Sequence, residues 1–150
     1  MIKTDEIADF LSTMILREGT FENALNDALD ILEIESEMKD DIEKNIVERE
    51  KTMPTIIARD SVLPRYEMEK GFKIVAGVSR HSIAHSQTDA DIRYFALFLY
   101  SKEYREDFLN YLAYFTRLFL LKSFKQKLTS AKDEDEIKTI IIEGIEEIED

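Results

Sequence analysis

The sequence predicts a single α/β domain over residues 1–150, with a small mixed β-sheet flanked by helices. Three observations predict it. Apolar residues recur at helical spacing through the first fifty positions. Short runs rich in Ile and Val follow between positions 55 and 79. The run at 92–100, IRYFALFLY, is nearly all apolar, and helical spacing then returns to the C-terminus. Helices, strands and helices again around one core are the pattern of an α/β domain, and no linker, repeat or low-complexity tract divides the chain.

Each element follows from its own residues. At 4–16, Ile7, Phe10, Leu11, Met14 and Ile15 after a Thr-Asp start predict a first helix. Gly19-Thr20 breaks it and caps a second, carried by Phe21, Ala24, Leu25, Ala28, Leu29 and Leu32. Ser36 can cap a third, running to about Lys51 with Met38, Ile42, Ile46 and Val47 turned inward. The stretches 55–63 and 72–79 then read as strands, with Gly71 and Gly77 allowing turns or bulges. An all-apolar strand at 92–100 belongs in the centre of a sheet covered on both faces, with Ala96 and Leu97 pointing oppositely. A long helix from Glu103 to about Leu121 carries the stripe Phe108, Leu109, Leu112, Phe115, Leu118 and Phe119, read as core. Ser123 opens a short helix, and DEDEIKTIIIEGIEEIE reads as a terminal one.

Composition narrows the chemistry. With 32 acidic against 20 basic residues the formal charge is −12, which argues against nucleic acid as the main partner because phosphate backbones need a basic footprint. The positions 108–132 hold no Asp or Glu, whereas 133–150 are strongly acidic; helix-end charges and a solvated acidic face account for that pattern. Cysteine is absent, so thiol chemistry is excluded, and a metal would depend on His81, His85 and carboxylates. No cofactor or metal is expected. No apolar run is long enough to span a membrane, and a cytoplasmic protein without membrane insertion is the expectation. His81 and His85, four apart in RHSIAHSQTD, sit among Ser, Gln, Thr and Asp, which suggests an exposed loop.

Three longer pieces carry a resemblance: NIVEREKTMPT, IRYFALFLYSKEYREDFLNYLAYFTRLF and FKQKLTSAKDEDEIKTII. In order and spacing the chain resembles the type-2 (fructose/mannitol) enzyme IIA domains of the bacterial phosphotransferase system, including the nitrogen-regulatory IIA proteins. The resemblance implies the phosphotransferase/anion transport protein-like fold, a fold that in the anion exchanger's cytoplasmic domain serves without phosphotransfer. It also implies partners, HPr-like and IIB-like, and a histidine that takes a phosphoryl group from one and passes it to the other.

That histidine usually stands in Ile-Ala-Ile-Pro-His-Ala-Arg. Counting from the shared Glu48-Arg49-Glu50 lays SVLPRYE on the motif, so Pro64 matches the proline and Arg65 takes the histidine position. The second family histidine maps to Phe108, while the family arginine is kept as Arg49. Phosphoryl acceptance needs a ring nitrogen with a free lone pair. A guanidinium stays protonated and only donates, although it binds anions and carboxylates well. The expectation is a catalytically silent protein, a regulatory or interaction module rather than a phosphotransferase. An active phosphocarrier using His81 or His85, by alignment of FKIVAGVSRH or of SIAHSQTD on the motif, stands as the alternative. An anion-binding sensor built on Arg49, Arg59, Arg65 and Arg80 is a further one, and a plain ion pair of Arg65 with Glu67 or Glu69 needs no ligand at all.

Overall fold

The structure is a computed structural model that describes residues 1–85 and 88–149. A 3-10 helix over Thr4–Asp9 leads into β1 (Leu11–Leu16), followed by β2 (Gly19–Thr20), α1 (Phe21–Ile31) and α2 (Ser36–Thr52). The strands β3 (Ile56–Ile57), β4 (Ser61–Val62), β5 (Arg65–Glu67), β6 (Phe72–Ala84) and β7 (Asp91–Tyr100) come next. A short 3-10 helix at Lys102–Tyr104 then opens α3 (Arg105–Phe119), α4 (Lys122–Ser130) and α5 (Glu134–Glu149).

The seven strands among the described residues share one mixed sheet in the order β1-β6-β7-β4-β3, with β2 extending the β1 edge and β5 pairing β7 beyond β4. The long antiparallel pair β6–β7 is its middle, and both outer neighbours run parallel to their partners. As the apolar run predicts, β7 is central and covered twice. Ala96 and Phe98 pack with Phe108, Phe115 and Phe119 under the C-terminal helices. Leu97 and Leu99 pack with Leu25, Leu29, Ile42 and Ile46 under α1 and α2. Each such side chain taken out of water contributes about 1.5–3 kcal/mol, so the sandwiched strand pair holds the fold.

The first predicted helix is where periodicity misled. Residues 11–16 form the strand β1, in parallel register with β6 from Leu11↔Ile74 to Leu16↔Ser79. Its apolar residues divide between two faces, Leu11 to one core and Met14 and Leu16 to the other, because helices cover both sides of the sheet. An apolar set needed on both faces of a strand imitates helical spacing in so short a window. Two stripe assignments also change. Met38 is 48% and Leu109 54% exposed, so neither is a core residue. Ser36 starts α2 but does not cap it; Glu35 holds the cap position without a side-chain bond.

The glycines differ in role. Gly71, at φ 96°, makes the turn into β6, and its carbonyl accepts from the Ser101 N–H at 2.8 Å. Gly77 makes neither turn nor bulge; it lies mid-strand opposite Phe95 and beside Met14. A Cβ there would stand 3.0 Å from Met14 Cγ and Leu16 Cδ2, so β1 packs against the bare backbone. The bulge falls later, between Val78 and Ile83.

Near the N-terminus, the Ile2 N–H donates to Asp107 Oδ1 at 2.5 Å and Tyr111 OH donates to the Ile2 carbonyl at 2.9 Å. Burial pushes the Tyr111 hydroxyl up to about 12.

Two consequences are measurable. Gly77→Val should cost about 1–3 kcal/mol by overpacking, read as a lower urea midpoint at unchanged slope. A folded Tyr111 that keeps its proton beyond the unfolded value near ~10 makes stability fall as pH rises between that value and about 12. Tyr111→Phe should flatten that alkaline decline in a pH series of melts.

Candidate functional site

Residues 61–67 are one strand interrupted at Pro64. Ser61 and Val62 pair with Tyr94 and Phe95, and Arg65, Tyr66 and Glu67 resume on Phe98, Leu99 and Tyr100 without loss of register. Proline has no N–H to give. Its carbonyl nonetheless accepts from the Phe98 N–H at 3.0 Å, and the Leu63 N–H turns outward to the Thr55 carbonyl at 3.0 Å. Those bonds fix the direction in which Arg65 leaves the sheet.

Strand alternation puts Leu63 and Arg65 on the face covered by α3, and Tyr66 with Val62 on the face covered by α2. The Arg65 guanidinium folds back to donate from Nε and Nη2 to the Leu63 carbonyl, at 3.3 and 3.0 Å. It stands 5.8 Å from the centre of the Phe108 ring, within cation–π range. Phe108, in the first turn of α3 and 4% exposed, lies flat on Tyr100 with ring centres 4.0 Å apart. Arg65 and Phe108, far apart in sequence, are therefore neighbours.

Arg49, in the last turn of α2, completes the group. It lines with Arg65 a hollow of about 340 Å³ walled by Pro54, Ile57, Leu63, Leu112 and Thr116. Among the described residues no acidic side chain lines this hollow. Burial lowers the Arg65 pKa, and the nearby Arg49 charge lowers it further, against weaker pulls from Glu50 and Tyr100. Two cations thus share an apolar recess. Among the described residues Arg65 makes no salt bridge with Glu67 or Glu69, so the plain ion pair is not formed.

The other two arginines lie elsewhere. Arg59 is exposed on the β3–β4 turn at φ 67° and does not line the hollow. Arg80 donates to the Thr129 and Ala131 carbonyls and so caps the C-terminal end of α4. Arg49 and Arg65 come together; Arg59 and Arg80 do not join them.

The histidines correct the exposed-loop expectation. His81 belongs to β6, at the bulge, and is exposed. His85 is buried, its ring 5.1 Å from that of Phe21 and its Nε2 3.9 Å from Glu50 Oε2. Ser86 and Gln87 of the SIAHSQTD stretch lie outside the described residues. Among the described residues no three His, Asp or Glu side chains gather closely enough to hold a metal ion.

Sequence reasoning missed Glu50. This carboxylate is 2% exposed and accepts from the Thr55 N–H at 2.7 Å and from the Thr55 hydroxyl. It thereby fixes the 53–57 segment that walls the hollow. A lone Glu in EREK carries no such signal, because the burial comes from the chain folding back over the sheet edge.

The arrangement now has relatives. A family model described as phosphoenolpyruvate-dependent sugar phosphotransferase system, EIIA 2, matches residues 12–144. The chain belongs to this type-2 IIA family. The nitrogen regulatory protein IIA-Ntr from Neisseria meningitidis matches this type-2 IIA chain with a TM-score of 0.75 at 16% identity, over 90% of this chain and 98% of its own. The mannitol-specific cryptic phosphotransferase enzyme IIA from Escherichia coli matches at 0.68 and 11% identity, over 91% and 98%. Mannitol IIA in complex with phosphorylated mannitol IIB, also from Escherichia coli, matches at 0.61 and 15% identity, over 87% and 93%. No curated protein matches by sequence. No helix among the described residues is long and apolar enough to cross a membrane.

Glu50→Ala should destabilise the protein by about 1–3 kcal/mol for each Thr55 donor it orphans, and Glu50→Gln by less. Urea titration of both variants checks the order.

Proposed function

We propose that residues 1–150 form one type-2 IIA domain that is catalytically silent and works in the cytoplasm as a regulatory or protein-interaction module. The observation that carries this is the Arg65–Phe108 contact beside Arg49. If the family resemblance holds residue by residue, the acceptor position holds a cation with no lone pair and the second imidazole position holds a buried ring. Neither can take up a phosphoryl group.

The phosphocarrier alternative finds less support. The His85 side chain is 0% exposed, and a buried imidazole packed on Phe21 offers no nitrogen to a partner protein. His81 is reachable but does not line the hollow that holds Arg49. In-line transfer needs acceptor and charge-stabilising groups in one place.

A second reading has its own observation. Two arginines converge on a recess that has no acidic wall among the described residues, which favours an anion there: a carboxylate or phosphate offered by a IIB-like or other protein, or free in solution. Millimolar phosphate should then raise the melting temperature through binding to the native state, and Arg65→Ala should abolish the rise.

Incubation with phosphoenolpyruvate, enzyme I and HPr, read by intact-mass spectrometry, tests the silent assignment. The wild type should gain no phosphoryl mass, Arg65→His little, and the Arg65→His/Phe108→His pair more. Wild-type labelling lost in His85→Ala or His81→Ala would establish the phosphocarrier instead.

A further inference from the structure

Tyr66 leaves β5 on the face opposite Arg65 and there lines a groove of about 890 Å³. The groove runs between the start of α2 and the segments that follow β5 and β7. Glu35, Glu37 and Asp41 line one side, and Glu67, Glu69 and Glu103 the other, against one basic residue, Lys102. Acidic residues alone can simply be a solvated face. Two further features distinguish this one.

The first is Ser101. It lines the groove and is 3% exposed, yet its hydroxyl has no hydrogen-bond partner among the described residues. Its backbone is satisfied, by the Gly71 carbonyl and the Tyr104 N–H, and it stands at the N-cap of the following 3-10 helix without capping it. A buried hydroxyl left unpaired costs about 1–3 kcal/mol, so it calls for a partner that the described residues do not supply. The second is apolar surface within the acidic walls. Met38, 48% exposed on α2, faces the groove with Tyr66 and Met68.

We propose that this groove binds a linear aliphatic polyamine. Its ammonium groups would be spread among the carboxylates, its methylenes would lie on Met38 and Tyr66, and one N–H would donate to the Ser101 hydroxyl. Carboxylates strung along both walls suit a ligand with separated charges. A metal ion would need ligands drawn to one point, and no three acidic side chains among the described residues converge that way. The Tyr66 ring adds a cation–π face for one ammonium.

Isothermal titration of the intact protein with spermidine, against NaCl and MgCl2 at matched ionic strength, tests this. One spermidine should bind per chain, more tightly than magnesium. The Glu67→Gln/Glu103→Gln pair, both exposed, should weaken it about tenfold or more, while Glu143→Gln on α5 should leave it unchanged. Ser101→Ala gives the decisive contrast: it should keep or raise the melting temperature, because an orphaned hydroxyl is removed, and still lower affinity about threefold or more. Equal binding of magnesium, equal loss in Glu143→Gln, or unchanged affinity in Ser101→Ala would overturn the assignment. Tighter binding of tetralysine than of spermidine would also overturn it, making the groove a surface for a basic protein segment.

Discussion

The antiparallel pair of β6 and β7 is the constraint on which everything else rests. Because Ile74, Ala76, Ala96 and Phe98 face one way and Val75, Leu97 and Leu99 the other, the sheet must be covered twice. The N-terminal helices supply one cover and the C-terminal helices the other. The connection from α2 to β4 therefore has to pass around the sheet edge, and it does so through 53–57. That crossing is what carries Arg49, at the end of a helix on one face, to Arg65, which points to the other.

The crossing is held by a short series of hydrogen bonds. Glu50 receives both Thr55 donors, Thr55 in turn receives the Leu63 N–H, and Pro64 sets the break after which Arg65 emerges. His85, pressed between Phe21 and Glu50, ties the same carboxylate to α1 and the end of β6. A change at Glu50 is thus felt at the recess without touching it. The same short strand then faces two chemistries. Arg65 looks into a cationic recess and Tyr66, its neighbour, into an acidic groove, because adjacent strand residues point to opposite sides.

The guanidinium of Arg65 limits what a recess of this shape can do. A guanidinium keeps its charge at any physiological pH and offers only donors, so it favours a bound anion and disfavours a covalent one. Here it also spends two donors on its own Leu63 carbonyl and rests against a phenyl ring stacked on Tyr100. Such packing holds the guanidinium in one place within the recess.

The central strand, the helices α1 to α5 and the fold class can be read along the chain, because long runs with one strong period leave few alternatives. The resemblance to the IIA family also pointed to Arg65 and Phe108 as members of one site, and the fold brings them into contact. Tertiary structure alone decided the rest. Residues 11–16 became a strand because β6 offered an open ladder, which outweighs the helical spacing of residues 4–16. Glu50 and His85 are polar residues in polar surroundings along the chain, and only folding around the sheet edge sealed them together. The unpaired hydroxyl of Ser101 was equally hidden, since whether a serine finds a partner depends on groups brought from other elements. Local periodicity records what a segment prefers; burial of a polar group is set by what arrives to cover it.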